Sequence, residues 1–286
     1  MKHSVARLGV VAVGVVAAVA VVSTQRGGGR GGDAPQTAQS PQQGAPIDLT
    51  GYWVSIVNED WRWRMVTPPK GDAASVPINA EGRKIVESWD PKLDGSCLAY
   101  GAAGLMRMPT RLNITWENDR TLKIDTDAGV QTRRLLFERP ASPPAPSLQG
   151  LSIAVWERPG GGGGGGFPGG GGGGAPGGGG AAAAGGGFGG GGGGRGGGPP
   201  ARGGDLKVTT TNLSGGWLRR NGVPYSEGAM MTEYFDRFAV PDGDEWLVVT
   251  TVVSDPKYLA QEFVTSTHFR KEADGAKKWD PTPCKP

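Results

Sequence analysis

Beyond residue 50 the chain keeps returning to one pattern: short runs in which every second side chain is apolar, separated by turn residues. Leu112, Ile114 and Trp116 alternate with Asn113, Thr115 and Glu117, and Leu122, Ile124 and Thr126 alternate with Lys123, Asp125 and Asp127. Trp61, Trp63 and Met65 alternate with Arg62 and Arg64 in the same way. Successive side chains of a strand point to opposite faces, so a period of two marks strands with one buried face. The pattern predicts strands over 51–57, 60–66, 112–117, 122–127, 130–137, 152–157, 205–211, 216–220, 229–238, 245–253 and 262–271, about eleven in all. Asn118-Asp119, Asp127-Ala128-Gly129, Asn221-Gly222 and Asp242-Gly243 supply turns between consecutive members. One helix is expected, capped by Asn79 and running from Ala80 to Trp89, with Ile85, Val86 and Trp89 on one face and Asp90-Pro91 as its stop. Consecutive strands on tight turns favour a closed barrel over a sandwich, because closure removes unpaired edges. The expected fold is all-β: a single antiparallel up-and-down barrel of about 8–11 strands with one short helix.

Two segments depart from this pattern. Residues 25–46 are Gly, Pro, Gln and Ser with little apolar content, the composition of a disordered linker. Residues 159–204 hold more than half of the 53 glycines, with Phe167 and Phe188 as their only large side chains apart from Arg and Pro. Such a stretch buries too little surface to offset its ordering entropy. It reads as a disordered insertion in the turn of a hairpin formed by 152–157 and 205–211, which loop-closure entropy penalises only weakly. A phosphate-binding loop would end in Lys-Ser/Thr and open a helix, and this one does neither. The folded domain is expected over 47–284, interrupted by 159–204.

The N-terminus has the layout of a signal peptide over residues 1–24. Lys2 and Arg7 precede an apolar run from Leu8 to Val22, too short to span a bilayer comfortably. An uncleaved N-terminal anchor is the alternative, and would be the chain's only membrane contact. Either way the expected location is periplasmic or secreted. Lys2, Arg7, Arg26 and Arg30 against Asp33 account for the whole formal charge of +3, so the domain itself is neutral and no nucleic-acid partner is expected. In an exported chain Cys97 and Cys284 read as one disulfide, with two buried thiols as the alternative.

Only two histidines occur in 286 residues, and His3 lies in the predicted signal. That leaves His268 as the single imidazole of the domain, scant material for a transition-metal site or a Ser-His-Asp relay. No metal, cofactor or catalytic residue is expected, and an enzyme is the less favoured reading. The candidate ligand contacts are aromatic and charged. Trp53, Trp61, Trp63, Trp116 and Trp156 fall in predicted strands, where indole faces can line a pocket. Arg62 and Arg64 interleave with two of them and can face an anionic head group. Glu233 and Arg237, four apart on one strand, share a face. Tyr225 follows a proline at a strand junction, and His268 shares a face with Ser266 and Arg270.

The opening Gly51-Tyr52-Trp53 is followed by Cys97-x-x-x-Gly101, Met106-Arg107-x-Pro109, Gly150-x-Ser152-Ile153-Ala154-x-Trp156-Glu157, Thr232-Glu233-x-Phe235-x-Arg237 and Asp255-Pro256-Lys257. This set resembles a broad family of uncharacterised exported bacterial proteins with lipocalin-like barrels. The resemblance implies a lipocalin-like barrel and brings no activity with it. The expected function is binding of a small apolar or amphipathic ligand. A non-catalytic accessory or surface-assembly module without such a ligand is the alternative, and a metal-independent hydrolase or isomerase is third. Oligomeric state has no signature in the sequence.

Overall fold

The structure is a computed structural model and describes residues 39–157 and 206–286, all within one compact unit. The expected signal (1–24), the linker up to residue 38 and the Gly-rich insertion (159–204) lie outside the described residues.

Among the described residues thirteen strands follow in chain order: β1 (Gly51–Ile56), β2 (Arg111–Asn118), β3 (Thr121–Thr126), β4 (Ala128–Gly129), β5 (Gln131–Leu136), β6 (Leu151–Trp156), β7 (Leu206–Thr211), β8 (Gly216–Arg219), β9 (Val223–Tyr225), β10 (Met230–Ala239), β11 (Glu245–Ser254), β12 (Phe263–Lys271) and β13 (Thr282–Pro283). Nine of them close a barrel in the order β1-β12-β11-β10-β7-β6-β5-β3-β2. All neighbours are antiparallel except β5 and β6, which run parallel through Leu135↔Ser152 and Leu136↔Ile153. The purely antiparallel expectation is therefore corrected, and the reason is arithmetic. Strands that alternate in direction can close a ring only in even number, so nine strands need a parallel pair. The connection from β5 to β6 travels the length of the barrel instead of turning back. β6 and β7 do form a hairpin pair, with Trp156 opposite Leu206 on either side of the insertion.

Inward-facing residues from all nine barrel strands meet in one core, among them Trp53, Leu112, Ile114, Ile124, Leu135, Ala154, Val208, Phe235, Val249 and Phe269. At the end where β1 begins, Trp116, Phe137 and Trp156 stack on one another at centroid separations of 5.6 and 5.4 Å. The segment before β1 packs against that end: Trp156 Nε1 donates to Pro41 O (2.9 Å), Gln42 N donates to Asp119 O (3.1 Å), and Leu49 is buried.

The opposite end carries a cap built from residues 57–110 and 212–229, with its own apolar core that includes Val86, Ala102, Leu218, Val223 and Tyr225. The cap holds three short helices rather than one: α1 (Trp61–Arg64), α2 (Ala80–Ser88) and α3 (Ala102–Leu105). Asn79 Oδ1 accepts from Gly82 N (3.0 Å) and caps α2 as expected, while Trp89 lies just past its end. Val86 and Trp89 are buried but Ile85 is exposed, because adjacent positions on a helix diverge by about 100°. β8 and β9 pair only with each other, across the Asn221-Gly222 turn. Gly222 is held at φ +79°, and a Cβ there would lie 2.3 Å from the Trp89 ring. Cys97 and Cys284 form a disulfide across a sequence separation of 187. It is flanked by Cys97 N→Lys285 O (2.7 Å) and Lys285 N→Gly95 O (2.8 Å), so the C-terminal tail is strapped to the cap.

The strand expected over 60–66 is also corrected. Asp60 adopts a left-handed conformation (φ 53°), which reverses the chain into α1. The alternation of Trp and Arg is thereby broken: Trp61 is 64% exposed while Arg64 is 3% exposed.

Candidate anion-binding site

Arg64 is buried because its guanidinium is fully used. Nε donates to Arg107 O (2.8 Å), one terminal nitrogen to Ser55 Oγ (3.2 Å), and the other pairs with Glu59. Glu59 also meets His268, whose Nδ1 lies 3.1 Å from its second oxygen, so α1 is tied to β12. Arg107 pairs with Asp60 at 2.6 Å, which anchors the left-handed residue that starts the turn. Trp63 Nε1 donates to Asp72 (3.1 Å), and Arg62 lies 3.6 Å from the same carboxylate. Burial alone would raise the Asp72 carboxyl. The Ala74 N–H, the Trp63 indole and the Arg62 and Arg219 charges outweigh that effect and hold it below its ordinary value.

Two guanidiniums lie over the Trp63 ring, Arg62 at 4.5 Å and Arg219 at 4.7 Å from the centroid. Arg219 is the unusual member. It is 4% exposed, yet Nε and both terminal nitrogens lack a hydrogen-bond partner. Burial, and then repulsion from Arg107, pull its pKa below the ordinary guanidinium value to about 10, against the attraction of Asp60 and Asp72. Arg64 is drawn to about 10 as well, by burial, with Glu59 opposing. Both remain cationic at neutral pH. Beside them lies a cavity of about 10 Å³ bordered by Trp63, Arg64, Arg107, Arg219 and Arg220, room for about one water. Arg220 donates to Arg64 O at 2.9 Å.

A buried guanidinium without a hydrogen-bond partner is costly, and the cation–π contact with Trp63 offsets only part of that cost. An anion accepting from Arg219 would remove the penalty. In the same segment as the pocket residues Trp63 and Arg64, the apolar side chains of Trp61, Met65 and Val66 are exposed, on and just after α1.

The predicted ligand residues thus fall into separate groups. Arg62, Trp63, Arg64 and His268 join one network, with Trp61 beside it on the outer surface. Trp53, Trp116, Trp156 and Arg237 lie toward the other end of the barrel. Trp53 is buried there with Nε1 on Leu49 O (2.9 Å), and Arg237 pairs with Glu245. Glu233 belongs to a polar layer between the two cores, and Tyr225 to the core of the cap. Glu233 and Arg237 share the inward face of β10 as expected, but they take different partners. Both Glu233 oxygens accept from Arg133 of β5, at 3.0 and 2.6 Å, and neither Arg133 nor Glu233 has any exposed side-chain surface. Tyr225 is buried with its hydroxyl unpartnered.

Sequence reasoning missed Arg107, Arg219, Arg220, Glu59, Asp60, Asp72 and Arg133. Arg219-Arg220 immediately before the Asn-Gly turn was a visible signal. The acidic partners had none, being ordinary loop carboxylates until the cap folds. Comparisons with known protein families, curated proteins and solved structures yield no match for this chain.

Proposed function

We propose that the protein is an exported, lipocalin-like barrel that binds a small amphipathic anion in its cap rather than in the barrel interior. The anionic group takes Arg219, and the apolar part lies against Trp61, Met65 and Val66. The observation that carries this reading is Arg219 itself, a charged side chain at 4% exposure whose three nitrogens have no acceptor. Hydrogen bonds to a charged group contribute ~1.5–3 kcal/mol each, against ~0.5–2 kcal/mol for the Trp63 contact, so an anion outcompetes the ring for Arg219. The cavity is smaller than such a group, so binding requires the Trp63 side chain to swing off Arg219 and give up its bond to Asp72.

The test is titration calorimetry of the purified protein with hexanoate, hexyl phosphate and hexanol, repeated on Arg219→Met. Saturable heat with at least one anion, none with hexanol and none with the variant is the expected result. Equal binding of hexanol, or undiminished binding by Arg219→Met, would sink the proposal. The second reading, an accessory or assembly module without a small-molecule ligand, draws support from the side chains that occupy the barrel interior together with the exposed surface at α1. Silence from every anion would favour it.

A further inference from the structure

We infer that the group recognised in the cap is a phosphate monoester dianion rather than a carboxylate, an inference that rests on the anion-binding reading above. Five guanidiniums gather around the cavity and the Trp63 ring, and only three of them have a carboxylate partner. Arg62 is opposite Asp72, Arg64 opposite Glu59, and Arg107 opposite Asp60. Arg219 and Arg220 remain. They are adjacent in sequence, both border the cavity, and neither has an ion-pair partner among the described residues.

Two positive charges without an ion-pair partner at one cavity match two negative charges. A carboxylate brings one charge and two coplanar oxygens, which would leave one arginine unneutralised. A phosphate monoester carries close to two charges at neutral pH and three acceptor oxygens arranged as a tripod. Three oxygens can accept from two guanidinium forks at once. Arg219 offers three free nitrogens, and Arg220 is tied through one terminal nitrogen to the Arg64 carbonyl, which fixes its direction. The Trp63 ring occupies the face of Arg219 until the phosphate arrives. The ring belongs to a four-residue helical turn, which limits how much structure must shift.

The inference is tested by calorimetry on the full chain with four probes: hexyl phosphate, methyl hexyl phosphate, hexanoate and inorganic phosphate. The diester keeps the tetrahedral shape and the tail but loses one charge. Hexyl phosphate is expected to bind about tenfold or more tightly than the diester or hexanoate, the worth of one further charge-assisted contact. Arg220→Gln should bring the monoester and the diester within about threefold of each other. Inorganic phosphate equalling hexyl phosphate would assign the site to free phosphate; weaker binding would assign it to a phosphorylated amphipath. Both results support dianion recognition. Equal affinity for all three hexyl probes, still lost in Arg219→Met, overturns the dianion and leaves the anion site standing. No heat from any probe overturns both.

Discussion

Tyr225 and Arg219 are two residues whose polar atoms the fold buries without satisfying, and they call for opposite explanations. The Tyr225 hydroxyl packs where Cβ atoms on Gly101 and Gly216 would lie, 2.1 and 2.6 Å away, so the two glycines make room for the ring and nothing accepts its proton. A buried donor left unpaired costs about 1 kcal/mol or more, so Tyr225→Phe should raise stability by about 1 kcal/mol in urea unfolding at neutral pH. Burial pushes the Tyr225 pKa up from its ordinary 10.0, with the Arg133 charge opposing. The neutral hydroxyl is therefore favoured in the folded state. Its contribution is intact below pH 10 and falls away as pH rises further, because the unfolded chain ionises first, at up to ~1.4 kcal/mol per pH unit. Tyr225→Phe should flatten that alkaline limb, and an unchanged limb would mean that other groups set it. At Arg219 the unpaired charge faces a cavity, not a wall. Arg219→Met should raise the ligand-free melting temperature by a few degrees, since ~1 kcal/mol moves a domain of this size by about 2–4 °C. A drop instead would mean that the Trp63 stack is a net stabilising contact.

At the level of elements, the alternating runs were legible wherever a strand had one wet face and one dry face. β2, β3, β10, β11 and β12 lie where their periodicity puts them because the core they face is apolar. The signal failed at α1, where the pattern was equally regular but the buried position belongs to Arg64. Its burial depends on Glu59, Ser55 and the Arg107 carbonyl, and no local periodicity encodes partners that distant. The hairpin of β6 and β7 illustrates the converse. Its pairing runs unbroken from Leu151↔Thr211 to Trp156↔Leu206, so the ladder is complete before the insertion begins. Replacing residues 158–205 by a short Asn-Gly turn should keep the melting temperature or raise it, because each halving of a flexible loop returns only about 0.6 kcal/mol of closure entropy. A marked loss of stability in differential scanning calorimetry would show that the segment packs on the domain.

Across the whole molecule, the barrel core and the cap core meet at the layer that holds Arg133, Glu233, Thr210 and Ser152. Arg133 and Glu233 are a hundred residues apart in sequence, so their bidentate pair joins the two halves of the barrel directly beneath the cap. The Ser152 and Thr210 hydroxyls sit 2.8 Å apart beside it, while Arg133 Nε has no partner. A buried pair of this kind gains large Coulomb energy but has lost two shells of water, and the two effects nearly cancel. The loss of one partner does not cancel. Arg133→Met leaves Glu233 charged and dry, so it should cost about 3–5 kcal/mol, and Glu233→Leu, which strands Arg133, should cost a similar amount. The double variant Arg133→Met/Glu233→Leu removes both charges and should recover most of that loss. The diagnostic quantity is the coupling energy of this cycle from urea unfolding. A double variant as unstable as the sum of the singles, a coupling energy of zero, would mean that the two side chains do not stabilise one another. Recovery would mean that the two charges compensate each other and that the pair adds little net stability over an apolar layer of equal volume.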